Sequence, residues 1–182
     1  FIGCQLSKKN CKPRSLKASS QENAQAHSIY SLKREKAKKL FEKAELYLSQ
    51  GKIGMAQKFF LKSYEVEKSP HTAVKIVTIG IATGRLDKAF EKLDAYLEDF
   101  PSSIGLKIIE AAYFFRKGDK EKGLEILKNL KSDFPDSEMS YYELVTYYLK
   151  EKQIDQALLV IKELVKNKPG VSFGWALMAS LY

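Results

Sequence analysis

Pro70, Pro101, Pro135 and Pro169 recur at intervals of 31, 34 and 34 residues. A small residue keeps the same time between them, with Ala56, Ala89, Gly123 and Ala157 spaced 33, 34 and 34 apart. Gly51, Gly84 and Gly118 each stand five residues ahead of the first three of these positions. A period of this length constrains the fold more than composition does. Each unit is one supersecondary piece that can bury its apolar face only by stacking on its neighbours. The aligned stretches SQGKIGMA, ATGRLDKA, RKGDKEKG and KEKQIDQA each carry a turn signal and then a helix whose small residue comes one turn in. Glycine caps the first helix in the left-handed conformation, and the small side chain lets an antiparallel second helix approach closely. Proline, which cannot continue the hydrogen-bond ladder, is expected to close the second helix of each unit. With only 5 prolines and 10 glycines in 182 residues, the rest of the chain favours helix. The spacing predicts helix pairs at about 30–50 with 53–68, 71–84 with 86–99, 103–117 with 120–133, and 137–152 with 154–167. A ninth helix is expected from Val171.

Further positions keep the frame. Trp175, Ala179 and Tyr182 repeat the spacing of Leu40, Ala44 and Tyr47, of Lys107, Ala111 and Phe114, and of Tyr141, Val145 and Tyr148. Phe60, Leu93, Leu127 and Ile161 each follow the small marker by four residues. The pattern resembles the tetratricopeptide repeat, a helix–turn–helix unit of 34 residues, over roughly residues 30–182. Departures are Gly80 for an aromatic residue, Gly123 for alanine and Lys152 for the turn glycine. The resemblance implies an all-α fold, an α-solenoid of antiparallel helix pairs with about four complete repeats plus the first helix of a fifth. Trp175, Leu177, Met178 and Leu181 are apolar where a terminal repeat needs a polar face, so the array is expected to continue beyond Tyr182, the alternative being another subunit that covers this end. Two regions are expected: residues 1–28, a leader and basic flexible tether, and residues 29–182, the repeat array.

Charge supports that division. Of the formal +9, residues 1–43 carry eleven Lys and Arg against three acids, and the remainder is nearly neutral. Lys8, Lys9, Lys12, Arg14 and Lys17 lie in a polar stretch without hydrophobic period, read as a tether to about Ala26, and Lys33, Arg34, Lys36, Lys38 and Lys39 then open the first helix. Such a segment suits a solvated leader or an anionic membrane surface. Nucleic acid is disfavoured because no aromatic residue interleaves the basic positions for stacking. Phe1-Ile2-Gly3-Cys4 resembles the lipobox of bacterial lipoproteins, with Phe1 where leucine is usual. That resemblance implies cleavage before Cys4, acylation of its thiol and new amino group, and, with Gln5 next, sorting to the periplasmic face of the outer membrane of a bacterial cell envelope. Because the chain starts at Phe1 rather than Met, an upstream signal segment is expected. A cytoplasmic location is the alternative.

The same family resemblance assigns a concave binding groove to Val74, Thr78 and Ile81, to Ile108, Ala112, Phe115 and Arg116, to Met139, Tyr142, Thr146, Leu149 and Lys150, and to Phe173. This lining is apolar and aromatic with basic residues at its rim, which fits an amphipathic helix or extended segment of a partner protein. The Lys/Asn clamp with which chaperone-binding members of the family hold a terminal carboxylate is absent. No catalytic constellation is evident. His27 falls in the tether and His71 at a helix start, and neither has a nucleophile in its own repeat. The acid pairs Glu65/Glu67, Glu98/Asp99 and Asp133/Asp136 fall at second-helix ends, where solvated charge is expected. Glycine-rich phosphate loops are missing, and two histidines and two cysteines leave little for a metal, so no cofactor or metal is expected. These features suggest a non-catalytic scaffold in a larger complex, a membrane-anchored envelope lipoprotein and assembly factor bound to other proteins through its groove. The alternatives are a cytosolic adaptor or regulator without a lipid anchor, and the repeat portion of a larger enzyme.

Overall fold

The computed structural model describes residues 16–181, with side chains from residue 27 onward. Among the described residues there are nine α-helices and no strand: α1 (Leu16–Ser49), α2 (Ile53–Val66), α3 (Pro70–Ala82), α4 (Leu86–Asp99), α5 (Ile104–Lys117), α6 (Lys120–Asp133), α7 (Glu138–Lys150), α8 (Ile154–Asn167) and α9 (Ser172–Leu181). Consecutive helices pair into four units with α9 stacked on α8, an all-α solenoid. The expected pairs are all present. One boundary is corrected: α1 starts at Leu16, so residues 16–28, assigned above to a flexible tether, have helical backbone. No proline or glycine lies between Leu16 and Ser49. Once the packed half of the helix is nucleated, Ala, Gln and Glu residues extend it backwards at little cost. The lipobox-like start, Cys11 and residues 1–15 of the tether lie outside the described residues.

The turns follow the glycine pattern. Gly51, Gly84 and Gly118 have φ of 72°, 74° and 86°. In the fourth unit Lys152 takes the same left-handed conformation at φ 59°. A side chain there costs about 1–2 kcal/mol, which the surrounding contacts must offset. The prolines are more varied than expected. Pro101, Pro135 and Pro169 follow the ends of second helices, but Pro70 is the first residue of α3, where its missing N–H leaves no bond unmade. This shift explains the short interval of 31 residues.

Two apolar clusters run through the stack. One joins Ala44, Ala56, Phe60, Ile76, Val77, Leu93 and Leu106 across α1–α5. The second joins Ala111, Leu127, Tyr141, Leu144, Val145, Ile161 and Leu164 across α5–α8. Helix α5 belongs to both, through Leu106 in its first half and Ala111 in its second, each fully buried. The small markers do what their spacing requires, since Ala56 and Ala157 are 0% exposed. Polar bonds then link unit to unit. Lys68 donates to both carboxylate oxygens of Asp99 at 2.7 and 2.8 Å, and Tyr64 donates to Asp99 Oδ2 at 2.9 Å. Asp99, expected to be simply solvated, therefore joins α2 to α4. The Lys68 and Tyr64 bonds hold its carboxyl below the usual carboxylate range, while burial and then the Asp99 bond push the Tyr64 phenol up. Lys131 pairs with Glu163, and Lys120 with Glu151 at 2.6 Å, both between the third and fourth units.

Candidate functional site

The first helices of successive units touch, α3 on α5 and α5 on α7, and so form an inner row. The predicted groove residues lie along this row, in three environments. Thr78, Ala112, Arg116, Thr146 and Lys150 are exposed, as are Met139 at 52% and Tyr142 at 45%. Ile81 and Leu149 are half-buried against the core clusters. Val74 packs where α3 meets α5: a Cβ built on Gly105 would lie 2.9 Å from its Cγ2. Val74 is therefore a packing residue between units. Phe173 is half-buried and its ring sits 5.4 Å from that of Tyr142, tying α9 to α7.

Between α5 and α7 the inner row opens into a cavity of about 160 Å³. Ile108, Ala112, Phe115, Thr146 and Lys150 from the predicted groove meet there, joined by Ala111, Leu127, Glu143 and Tyr147. Phe115 shapes it. Its ring lies over Gly123, where a Cβ would fall 2.8 Å from Cζ, and stacks on Tyr147 at a centroid distance of 4.8 Å. The departure of Gly123 from alanine thus makes room for Phe115. Glu143 and Tyr147 escaped the sequence reading. The available signal was that α7 presents Tyr142, Thr146 and Lys150 in one row, which puts Glu143 and Tyr147 beside them at helical spacing. Burial pushes the Glu143 carboxyl up from its ordinary value. The cavity can hold an apolar side chain on its floor, with one cation, one half-buried carboxyl and the hydroxyl-bearing Thr146 and Tyr147 at its walls.

The remaining candidates do not gather at this site. His71 is exposed at the start of α3, with its ring 5.0 Å from that of Phe41. His27 is exposed on α1. Lys33, Arg34, Lys36, Lys38 and Lys39 are exposed, and Lys38 and Lys39 face Glu42 and Glu35 on the same helix at 3.9 and 3.4 Å. Among the described residues, no helix is long and apolar enough to cross a membrane. Cys4 lies outside them.

A family model for the tetratricopeptide repeat matches residues 110–137, which run from α5 through α6. No curated protein sequence matches the chain. Several solved structures are similar in fold. The C-terminal part of a repeat protein from Cytophaga hutchinsonii is 18% identical with a TM-score of 0.59, over 88% of this chain and 66% of that one. MamA from Desulfovibrio magneticus RS-1 is 17% identical with a TM-score of 0.54, over 80% of this chain and 83% of that one. YrrB, described as a tetratricopeptide-repeat protein with an unusual peptide-binding site, is 12% identical with a TM-score of 0.53, over 78% and 73%. The fold is thus that of tetratricopeptide-repeat solenoids.

Proposed function

We propose that this protein is a non-catalytic scaffold that holds a segment of another protein along its inner row, with the cavity between α5 and α7 as the anchor point. The observation that carries this reading is the convergence of Ile108, Phe115, Thr146 and Lys150 on that cavity, beside the exposed Tyr142 and Met139. A hydrophobic anchor seated there would leave its polar neighbours to Lys150, Arg116 and Glu143. The peptide-binding site attributed to YrrB lends support by analogy of fold. A photo-crosslinker replacing Thr146, which is exposed at the cavity wall, tests it. The same partner should be trapped from Thr146 and Met139 and lost on Tyr142→Ala with Lys150→Glu. Equal trapping from Lys128, exposed on α6, would overturn it.

We propose further that Cys4 carries lipid and that the scaffold works at a bacterial envelope as an assembly factor, the basic first helix lying near the anionic surface. Support comes from Phe1-Ile2-Gly3-Cys4 and from the concentration of positive charge in residues 1–43. A lipid anchor with a polybasic segment gives two signals, which stable attachment requires. Metabolic labelling with a clickable fatty acid, comparing native protein with Cys4→Ala, decides it. Label that disappears with Cys4 supports the anchor, and no label on either form returns the protein to the cytosolic adaptor reading.

A further inference from the structure

The second unit lacks a ring that its neighbours have. The position filled by Tyr47 in the first unit, Phe114 in the third and Tyr148 in the fourth is Gly80. Its neighbour across the helix pair is Ala89, and a Cβ built on Gly80 would meet the Cβ of Ala89 at 2.9 Å, so α3 and α4 close on each other at this point. Beside this contact lies a cavity of about 210 Å³ between α2, α3 and α4, floored by Ile76, Val77, Gly80 and Ala89. It lies on the side of α3 turned away from Val74, Thr78 and Ile81, and is therefore separate from the inner groove.

The cations around it explain what it suits. In the first unit Lys52 sits 5.9 Å over the Tyr47 ring, and in the third Lys122 sits 4.0 Å over the Phe114 ring. Counted from the small marker, the same positions in the second unit are Arg85 and Lys88, and both line the cavity with no ring beneath them. Lys92 joins them one turn further along α4. Among the described residues none of the three makes an ion pair, and no acid lines the cavity. Asp87, Glu91 and Asp94 project from the opposite edge of α4. Arg85 is held in place, its Nη1 donating to Gln57 Oε1 of α2 at 2.9 Å.

We propose that the second unit is a second docking site, which takes an aromatic side chain of an acidic partner peptide in the cavity beside Gly80. The ring lies on the aliphatic floor beneath Arg85 and Lys88, and flanking carboxylates meet the unpaired cations, Lys92 included. Two features define the occupant. Cations that cover rings in sister units favour a π face, and three positive charges without a counter-charge favour acidic neighbours.

Titration of the isotopically labelled protein with the peptide Ac-Asp-Phe-Asp-NH2, followed by amide NMR, tests this. Saturable shifts are expected at Gly80 and Ala89. Binding should be at least roughly fivefold weaker for Ac-Asp-Ala-Asp-NH2 and for Ac-Lys-Phe-Lys-NH2. The double variant Arg85→Glu, Lys88→Glu should lose binding while keeping its melting temperature, because both side chains are exposed. Absence of saturable shifts at Gly80, equal binding of the alanine peptide, or binding that survives the charge reversal would each overturn the proposal. So would shifts confined to Phe115 and Thr146, which would assign the peptide to the inner groove and leave that reading standing.

Discussion

The second and third units have the same register and distribute volume in opposite ways. In the second, Gly80 stands where the other units carry a ring, Ala89 closes on it, and a cavity lies beside this contact on the side away from the groove. In the third, Phe114 keeps that ring, covered by Lys122, and the marker shrinks to Gly123. The space so released is on the inner side, and Phe115 occupies it with Tyr147 stacked behind. Helix pairing is preserved in both units because at least one partner at the crossing is small. What differs is which face carries a cavity. Exchanging two or three side chains at one crossing therefore changes which surface carries a cavity without altering the solenoid.

That comparison can be broken most sharply at Phe115. Phe115→Ala should empty the space over Gly123 and cost about 2 kcal/mol, less than a fully buried phenylalanine because the ring is half-exposed. Urea unfolding measures this, and a change below a few tenths would mean that the ring is not part of the packing. Gly123→Ala approaches the same contact from the other side. Helix propensity would favour alanine by about 1 kcal/mol, but the collision with the Phe115 ring outweighs it, for a net loss of about 1 kcal/mol. A stabilised Gly123→Ala would show that Phe115 swings aside freely.

The turns offer a gain. Lys152→Gly should stabilise the fourth unit by about 1 kcal/mol, because it relieves a left-handed side chain, whereas Gly118→Ala should destabilise the third by a similar amount. Thermal melts of the two variants should move in opposite directions. The smallest effect is expected at Glu143. Its raised pKa means that the folded state binds the proton more tightly than the unfolded chain. The charged form therefore costs stability above the folded pKa, and the cost is relieved as pH falls through the folded pKa toward the ordinary glutamate value. Glu143→Gln should raise the melting temperature slightly at pH 7 and leave it unchanged near pH 4. The same gain at both pH values would assign the effect to packing instead.

Much of this is legible in the amino-acid sequence. Apart from the start of α1, the interval between prolines and between small residues located every helix boundary within a few residues, because backbone capping and close helix approach are local demands met by particular residue types. Phe60, Leu93, Leu127 and Ile161, placed in the core by spacing alone, are between 0% and 3% exposed. Asp99 and Val74 were less legible. Asp99 looked solvated until Lys68 and Tyr64, over thirty residues earlier, were brought to it, and Val74 looked like groove lining until Gly105 of the next unit closed on it. Neither partner lies within the same repeat, so a reading that treats each repeat by itself passes over both.

The amino-acid sequence determined the unit, its length, its turns and the small residues at each crossing, since these depend on backbone conformation and on interactions within about 34 residues. Tertiary packing decided where space is left over. Gly80 and Gly123 are both departures from the repeat, equally visible as letters, yet one lies against Ala89 beside a basic cavity and the other seats a phenylalanine. The difference lies in which side chain of the paired helix reaches the glycine, Ala89 in the second unit and the Phe115 ring in the third, and that depends on how the two helices of a unit pack in three dimensions.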